Sequence, residues 1–286
     1  MTEHTTDDDR LGDGLDIGLC PAVLVPDPMT CDDATFEAVV DATAGAGFGS
    51  VSLWAFWAMG YGVERARALL DGAGVTVPVV ETALQWVDGP GAALEAEAGP
   101  LLDVADALGA GTLAACTLGA VASLDAAAEG FAALCALAAA RDVRVCIEFL
   151  PWTGIPDLAT TWRLITASGA ANGGVLVDMM HWLSQPGGPD HELLRAIPGE
   201  RIHYVQVCDV AAGLPLDDTY LGAAMASRLL PGEGDVDMAA LFASLRATDA
   251  DPYLAFEVFN AELVAQGPVA MARALRASVP TVERDR

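Results

Sequence analysis

Four short apolar runs in the second half of the chain each carry an oxygen-bearing side chain near the C-terminal end. VRVCIEFL holds Glu148. GVLVDMMHW holds Asp178, with His181 three residues on. IHYVQVCD holds Gln206 and then Asp209, and YLAFEVF holds Glu257 between Phe256 and Val258. A carboxylate in such a run is costly unless it meets a cation or a hydrogen-bond donor. One such Glu is as often an ion-pair partner as a ligand. Four on consecutive runs form a hard, all-oxygen set suited to one divalent ion (Mn²⁺, Mg²⁺ or Co²⁺) rather than a thiolate-loving metal. His181, beside Asp178, reads as functional. His203 is off the alternation of Gln206 and should face away from it. Cys208 shares that alternation and reads as core. His4 and His191 read as solvated.

These side chains can act together only if the runs lie side by side at one height. Short β-branched runs near 15–20, 50–56, 75–82, 112–117, 143–150, 174–180, 202–209 and 253–259 alternate with Ala/Leu-rich helical stretches. The helical stretches lie at 31–46, 62–73, 92–109, 124–141, 157–168, 190–196, 237–248 and 262–278. Nearly all-apolar strands are those of a parallel sheet covered on both faces. Asp33 or Thr30 can cap the first helix and Asp157 a later one, while Gly74, Gly109 and Gly169 stand where helices should stop. Eight such units predict an α/β fold, a single (β/α)8 TIM barrel, over 14–279. A doubly wound sheet is the alternative, but no GxGxxG follows the first strand. Residues 1–13 read as a flexible acidic tail and 280–286 as a flexible C-terminal tail. Long connections at 150–157 and about 211–235 fall where a barrel builds its active face.

The 286 residues include 14 basic residues, all Arg, against 40 acidic ones, for a net charge of −26. So acidic a chain repels nucleic acid and anionic lipid. No apolar run is long enough to span a membrane. The opening MTEHTTDDDR is the opposite of a signal peptide, so a cytoplasmic protein is expected. The six cysteines lack metal-site spacing and read as reduced, mostly buried thiols.

The stretches IEF, VDMMH, VQVCD, RLLPGEGDVD and FEVF resemble the xylose-isomerase-like barrel superfamily. That group holds sugar-phosphate isomerases and epimerases, ketose 3-epimerases, and inosose and 3-dehydroshikimate dehydratases. The resemblance covers about 143–260; the first half agrees only in strand–helix order. It implies one divalent metal held by Glu148, Asp178, Gln206 and Glu257, and substrate contacts from His181 and Arg228. Gln206 stands where His is commoner, a replacement that some of the dehydratases share. Asp209 is expected to support these groups from behind.

A divalent ion on neighbouring carbonyl and hydroxyl oxygens acidifies the adjacent C–H through an enediolate. Glu148 and Glu257, three strands apart around the ring, could flank a substrate as ligand and base, so that a proton leaves one face and returns to the other. His181 and Arg228 would hold oxygens that gain charge. Expulsion of a β-hydroxyl would make the same site a dehydratase. Trp54, Trp57, Trp86, Trp152 and Trp182 all follow strands. Trp54, Trp57, Trp152 and Trp182 are candidate substrate contacts, in a pocket that could stack on a sugar ring or an aromatic group; ordinary lid packing is the alternative.

The expected activity is therefore an isomerase or epimerase of a non-phosphorylated keto sugar or cyclic polyol. A lyase on the same site is the alternative. An abasic-site endonuclease is disfavoured, because it needs several more histidines than the four present and a surface that tolerates DNA. A non-catalytic barrel remains if no metal binds. A homo-oligomer is allowed, and nothing in the sequence fixes the copy number.

Overall fold

The structure, a computed structural model, describes residues 16–286. The expected tail at 1–13, with His4, lies outside the described residues. Eight strands run β1 (Gly18–Leu19), β2 (Ser50–Trp54), β3 (Thr76–Ala83), β4 (Thr112–Ala115), β5 (Arg144–Glu148), β6 (Gly173–Asp178), β7 (Ile202–Val207) and β8 (Tyr253–Phe256). Each pairs in parallel with the next, and β8 closes on β1 through Gly18↔Ala255 and Leu19↔Phe256. This is a single (β/α)8 barrel, and the closing pair excludes an open sheet.

Among the described residues, twelve helices surround it: α1 (Asp33–Gly45), α2 (Ala55–Tyr61), α3 (Val63–Ala73), α4 (Ala92–Leu108), α5 (Leu124–Ala139), α6 (Leu158–Ser168), α7 (Met179–Ser184), α8 (His191–Ala196), α9 (Tyr220–Ala224), α10 (Met238–Arg246), α11 (Ala261–Val264) and α12 (Pro268–Asp285). Asp157 caps α6 as expected, accepting the Thr160 N–H at 2.7 Å. α1 is capped by Asp32, one residue before the expected Asp33, through the Thr35 N–H at 2.8 Å. Gly74, Gly109 and Gly169 end their helices in the left-handed conformation. α12 continues through 280–285, read from sequence as a loose tail. Val279 and Val282 anchor that turn in the core while Pro280 stays on the exposed side.

The interior is layered. Val79, Ala114, Cys146, Leu176, Tyr204 and Ala255, one from each of β3–β8, form an apolar cluster of their own, apart from the larger core between strands and helices. The floor is tight at Gly18: a Cβ there would meet the Tyr253 hydroxyl at 1.9 Å, so only glycine fits. Side chains alternate along a strand, so the next inward layer lies two residues on. It is Glu81, Cys116, Glu148, Asp178, Gln206 and Glu257, joined by Cys20 and Ser52 from the β1 and β2 side. Barrel sites are built at this C-terminal end.

Candidate active site

The backbone after β6 turns into α7 because Asp178 is its cap: Oδ1 accepts the His181 N–H at 2.9 Å. The same turn sends the His181 ring back over the mouth. Its Nε2 faces Glu148 Oε1 at 3.5 Å and its Nδ1 faces the Tyr220 hydroxyl at 3.1 Å. Glu148, Asp178 and His181 thus bring donor atoms within 4.8 Å of one another.

Arg228 comes from the long connection after β7. That connection is not a loose lid. It holds α9, and it is stitched down by bridges Asp209↔Leu229 and Ser227↔Asn260. The Arg228 guanidinium bonds Asp178 Oδ2 through Nη1, and the same nitrogen reaches Glu257 Oε2 at 3.1 Å and the Glu257 carbonyl at 3.0 Å. Its Nε donates to the Ala224 carbonyl at 2.9 Å, and Asn260 Nδ2 donates to the Arg228 carbonyl at 2.7 Å. Asp209 supports the loop beyond. It accepts the N–H groups of Val210, Gly232 and Val236 at 2.8, 2.9 and 3.0 Å. A Cβ at Gly234 would come within 2.4 Å of Asp209 Oδ1, so the loop can close over that carboxylate only with glycine there.

On the opposite side, Gln206 Nε2 donates to Glu257 Oε1 at 2.9 Å and faces Glu81 Oε2 at 3.5 Å. Glu81 is buried and does not figure among the residues singled out from sequence. The available signal is the one that marks Glu148: a carboxylate near the end of an apolar run, here TVPVVETA. Glu81, Glu257 and Cys20 form a second set of donors within 4.8 Å of one another. Of the expected quartet Glu148, Asp178, Gln206 and Glu257, the first two lie in one of these sets and Glu257 in the other, with Gln206 bonded to Glu257. Arg228 joins the two sets, between Asp178 and Glu257.

Burial governs the charges. Desolvation pushes the Glu148 and Glu257 carboxyls well above the usual range, helped by neighbouring carboxylates and opposed by Arg228. It raises Glu81 to about 7. Burial acts upward on Asp178 too, but Arg228, His181 and their hydrogen bonds outweigh it and hold Asp178 below its ordinary value. Burial lowers His181 to about 4, so the ring is neutral and its approach to Glu148 is a polar contact rather than an ion pair.

Two tryptophans reach this cluster. The Trp152 ring lies 5.6 Å from His181 and 5.2 Å from Tyr220. Trp54 packs against Phe259 at 6.1 Å, and Phe259 lies under the Arg228 guanidinium. Trp57 and Trp182, expected as substrate contacts, are not brought to it; each is 1% exposed. Trp57 packs edge-on against Phe36 and donates to the Pro28 carbonyl at 2.9 Å. Trp182 packs against His191. Both sit on helices that follow the strands, and the helical turn points them into the outer core. His191, expected in solvent, is half-buried and bonds Ser244 Oγ at 3.0 Å. His203 is buried with Nε2 on the Glu200 carbonyl at 3.1 Å, away from the mouth as expected. All six cysteines are free thiols, and only Cys31 is not fully buried.

The donors fit a divalent cation on two counts. Gln206 Oε1 is buried and has no hydrogen-bond partner, the condition of an amide oxygen available to a metal. And three buried carboxyl groups, Glu81, Asp178 and Glu257, lie with the half-buried Glu148 around one guanidinium that pairs with Asp178 and Glu257 alone, which leaves negative charge to be offset by protons or by a cation.

Residues 40–278 match the family model of the xylose isomerase-like TIM barrel. The 3-dehydroshikimate dehydratase of Pseudomonas putida is 34% identical over 121 residues, which cover 42% of this chain and 18% of that protein. This chain thus matches under a fifth of that relative's length. The structure of IOLI protein with a bound zinc atom superposes with a TM-score of 0.79 at 13% identity, over 95% of this chain and 99% of that one. D-allulose 3-epimerase from Methylomonas sp., in complex with D-allulose, superposes with a TM-score of 0.70 at 18% identity, over 93% and 95%. No helix among the described residues is long and apolar enough to cross a membrane.

Proposed function

The chain belongs to the xylose isomerase-like TIM-barrel family, and from that premise we propose a divalent-cation-dependent isomerase or epimerase of a non-phosphorylated keto sugar or cyclic polyol. The observation that carries the reading is the inward layer: Glu148, Asp178, Gln206 and Glu257 on four adjacent strands, with His181 and Arg228 bonded into it. Those four side chains would hold the cation. When bound, it polarises adjacent carbonyl and hydroxyl oxygens of the substrate and acidifies the C–H between them. Glu148 and Glu257, on β5 and β8, act from opposite sides of the ring. One takes the proton from the carbon beside the carbonyl, and the other returns a proton to the opposite face. His181, its Nδ1 fixed by Tyr220, turns Nε2 to a substrate oxygen, and Arg228 steadies a second oxygen as it gains charge. Trp152 and Trp54 form apolar walls on the two sides. Among the described residues, Arg228 is the only basic side chain that forms an ion pair with these carboxylates, and Asp178 and Glu257 already hold it. A guanidinium already offset by two carboxylates gives weak support to a dianionic phosphate.

A dehydratase is the second reading, favoured by the relative in Pseudomonas putida. One experiment separates the two. Ketohexoses, inososes and 3-dehydroshikimate are incubated with the protein and Mn²⁺ in D₂O. The proposed activity gives deuterium at the carbon beside the carbonyl with no loss of water. A conjugated product absorbing in the ultraviolet supports the lyase. Neither signal with any of these compounds contradicts both.

A further inference from the structure

Glu81 is buried at the mouth on the half of the barrel where no other carboxylate enters the inward layer, and no step above uses it. Its neighbours suggest a role. An imidazole ligand presents nitrogen at either ring position, but an amide has a right and a wrong way round. Turned one way it offers oxygen to a cation, and turned the other way it offers an N–H that repels one. Something must therefore hold the Gln206 amide. Its Nε2 carries two hydrogens. One goes to Glu257 Oε1 at 2.9 Å, and Glu81 Oε2 stands opposite the nitrogen at 3.5 Å. Its oxygen is left with no partner. A flipped amide would set that oxygen against two carboxylates. Glu81 is itself held. The Tyr204 hydroxyl, from the layer beneath Gln206 on the same strand, lies 3.3 Å from Glu81 Oε1 and 2.8 Å from Ser52 Oγ.

We infer that Glu81 is a positioning residue which, braced by Tyr204, fixes the Gln206 amide so that its oxygen and not its nitrogen is offered to the cation. The inference rests on the reading of Gln206 as a ligand. It makes the acceptor geometry of Glu81, rather than its charge, the property that matters.

The test is calorimetric titration of Mn²⁺ into the full metal-free chain, with circular dichroism to confirm folding. Glu81→Gln keeps an acceptor oxygen at the same reach and should hold the affinity within about threefold. Glu81→Asp keeps the charge but withdraws the acceptor by one methylene, and Glu81→Met removes it; both should weaken Mn²⁺ binding about 10- to 100-fold. In a Gln206→Glu background there is no amide to orient, so adding Glu81→Met should not weaken binding. The inference is overturned if Glu81→Asp binds as the unsubstituted chain does while Glu81→Gln fails. It is equally overturned if the loss in Glu81→Met is the same in both backgrounds. Should Glu81→Met not fold, the Gln and Asp variants decide alone. A chain that binds no Mn²⁺, Mg²⁺ or Co²⁺ overturns the proposed function together with this inference. Mn²⁺ binding that is lost in Asp178→Asn but untouched by all three Glu81 variants overturns this inference and spares the function.

Discussion

At the height of the mouth, β5 to β8 present Glu148, Asp178, Gln206 and Glu257, while the β1, β2 and β4 side presents Cys20, Ser52 and Cys116. The backbone geometry is the same in both halves. One layer down, both are filled by apolar or aromatic side chains, with Val79 and Ala114 on one side facing Cys146, Leu176 and Ala255 on the other. The alternation of the strand thus fixes where a side chain points, and residue type alone decides whether that position packs or reacts. The thiols of the first half are buried, and burial pushes Cys20 and Cys116 well above the ordinary thiol value, so they remain uncharged fillers. Glu81 is the exception, and its contacts run to the second half, to Gln206 and Tyr204.

This contrast can be broken in four places. The largest expected effect is Glu257→Gln, which keeps shape and removes a base. Turnover should fall about 10³-fold, with circular dichroism unchanged; near-normal activity would remove Glu257 from the chemistry. Next is Arg228→Ala. It strips the guanidinium from two buried carboxylates, so urea unfolding of the metal-free chain should show a loss of about 3–5 kcal/mol, and KM should rise. A loss under about 1 kcal/mol, the size of an exposed pair, would mean that Arg228 does not offset that charge. Third, Trp57→Ala and Trp152→Ala should part company. The first should lose about 3–5 kcal/mol of stability with KM unchanged, and the second should raise KM at a smaller stability cost. If both change KM alike, the division between outer core and mouth is wrong. Smallest is Cys116→Ala. It should change turnover less than about threefold and stability by about 1 kcal/mol, and in the unsubstituted chain Cys116 should resist iodoacetamide at pH 8 until the chain unfolds.

The barrel was legible in the sequence because its signal is repeated eight times. Short apolar runs and capped amphipathic stretches leave little choice of fold. The carboxylates of β5 to β8 were legible for a related reason: Glu148 or Glu257 in an otherwise apolar strand is a local anomaly that demands a partner. Glu81 is the same anomaly, but the resemblance starts near residue 143, so nothing drew attention to β3. Partners were harder. Arg228 meets Asp178 across fifty residues of chain, and no local pattern encodes that meeting. Trp57 and Trp182 follow strands, as residues of the mouth do, yet each lies on a short helix, α2 or α7, that begins where the strand was expected to continue. In α7 the Asp178 cap turns the chain, and one side chain both ends the strand and helps build the site.

The central claim is that the last four strands converge on one cation. Anomalous diffraction at the manganese edge, from a crystal of the full chain grown with Mn²⁺, tests it most directly. The account predicts one strong peak bounded by Glu148, Asp178, Gln206 and Glu257. A mouth without a peak, or a peak held by other residues, would contradict it.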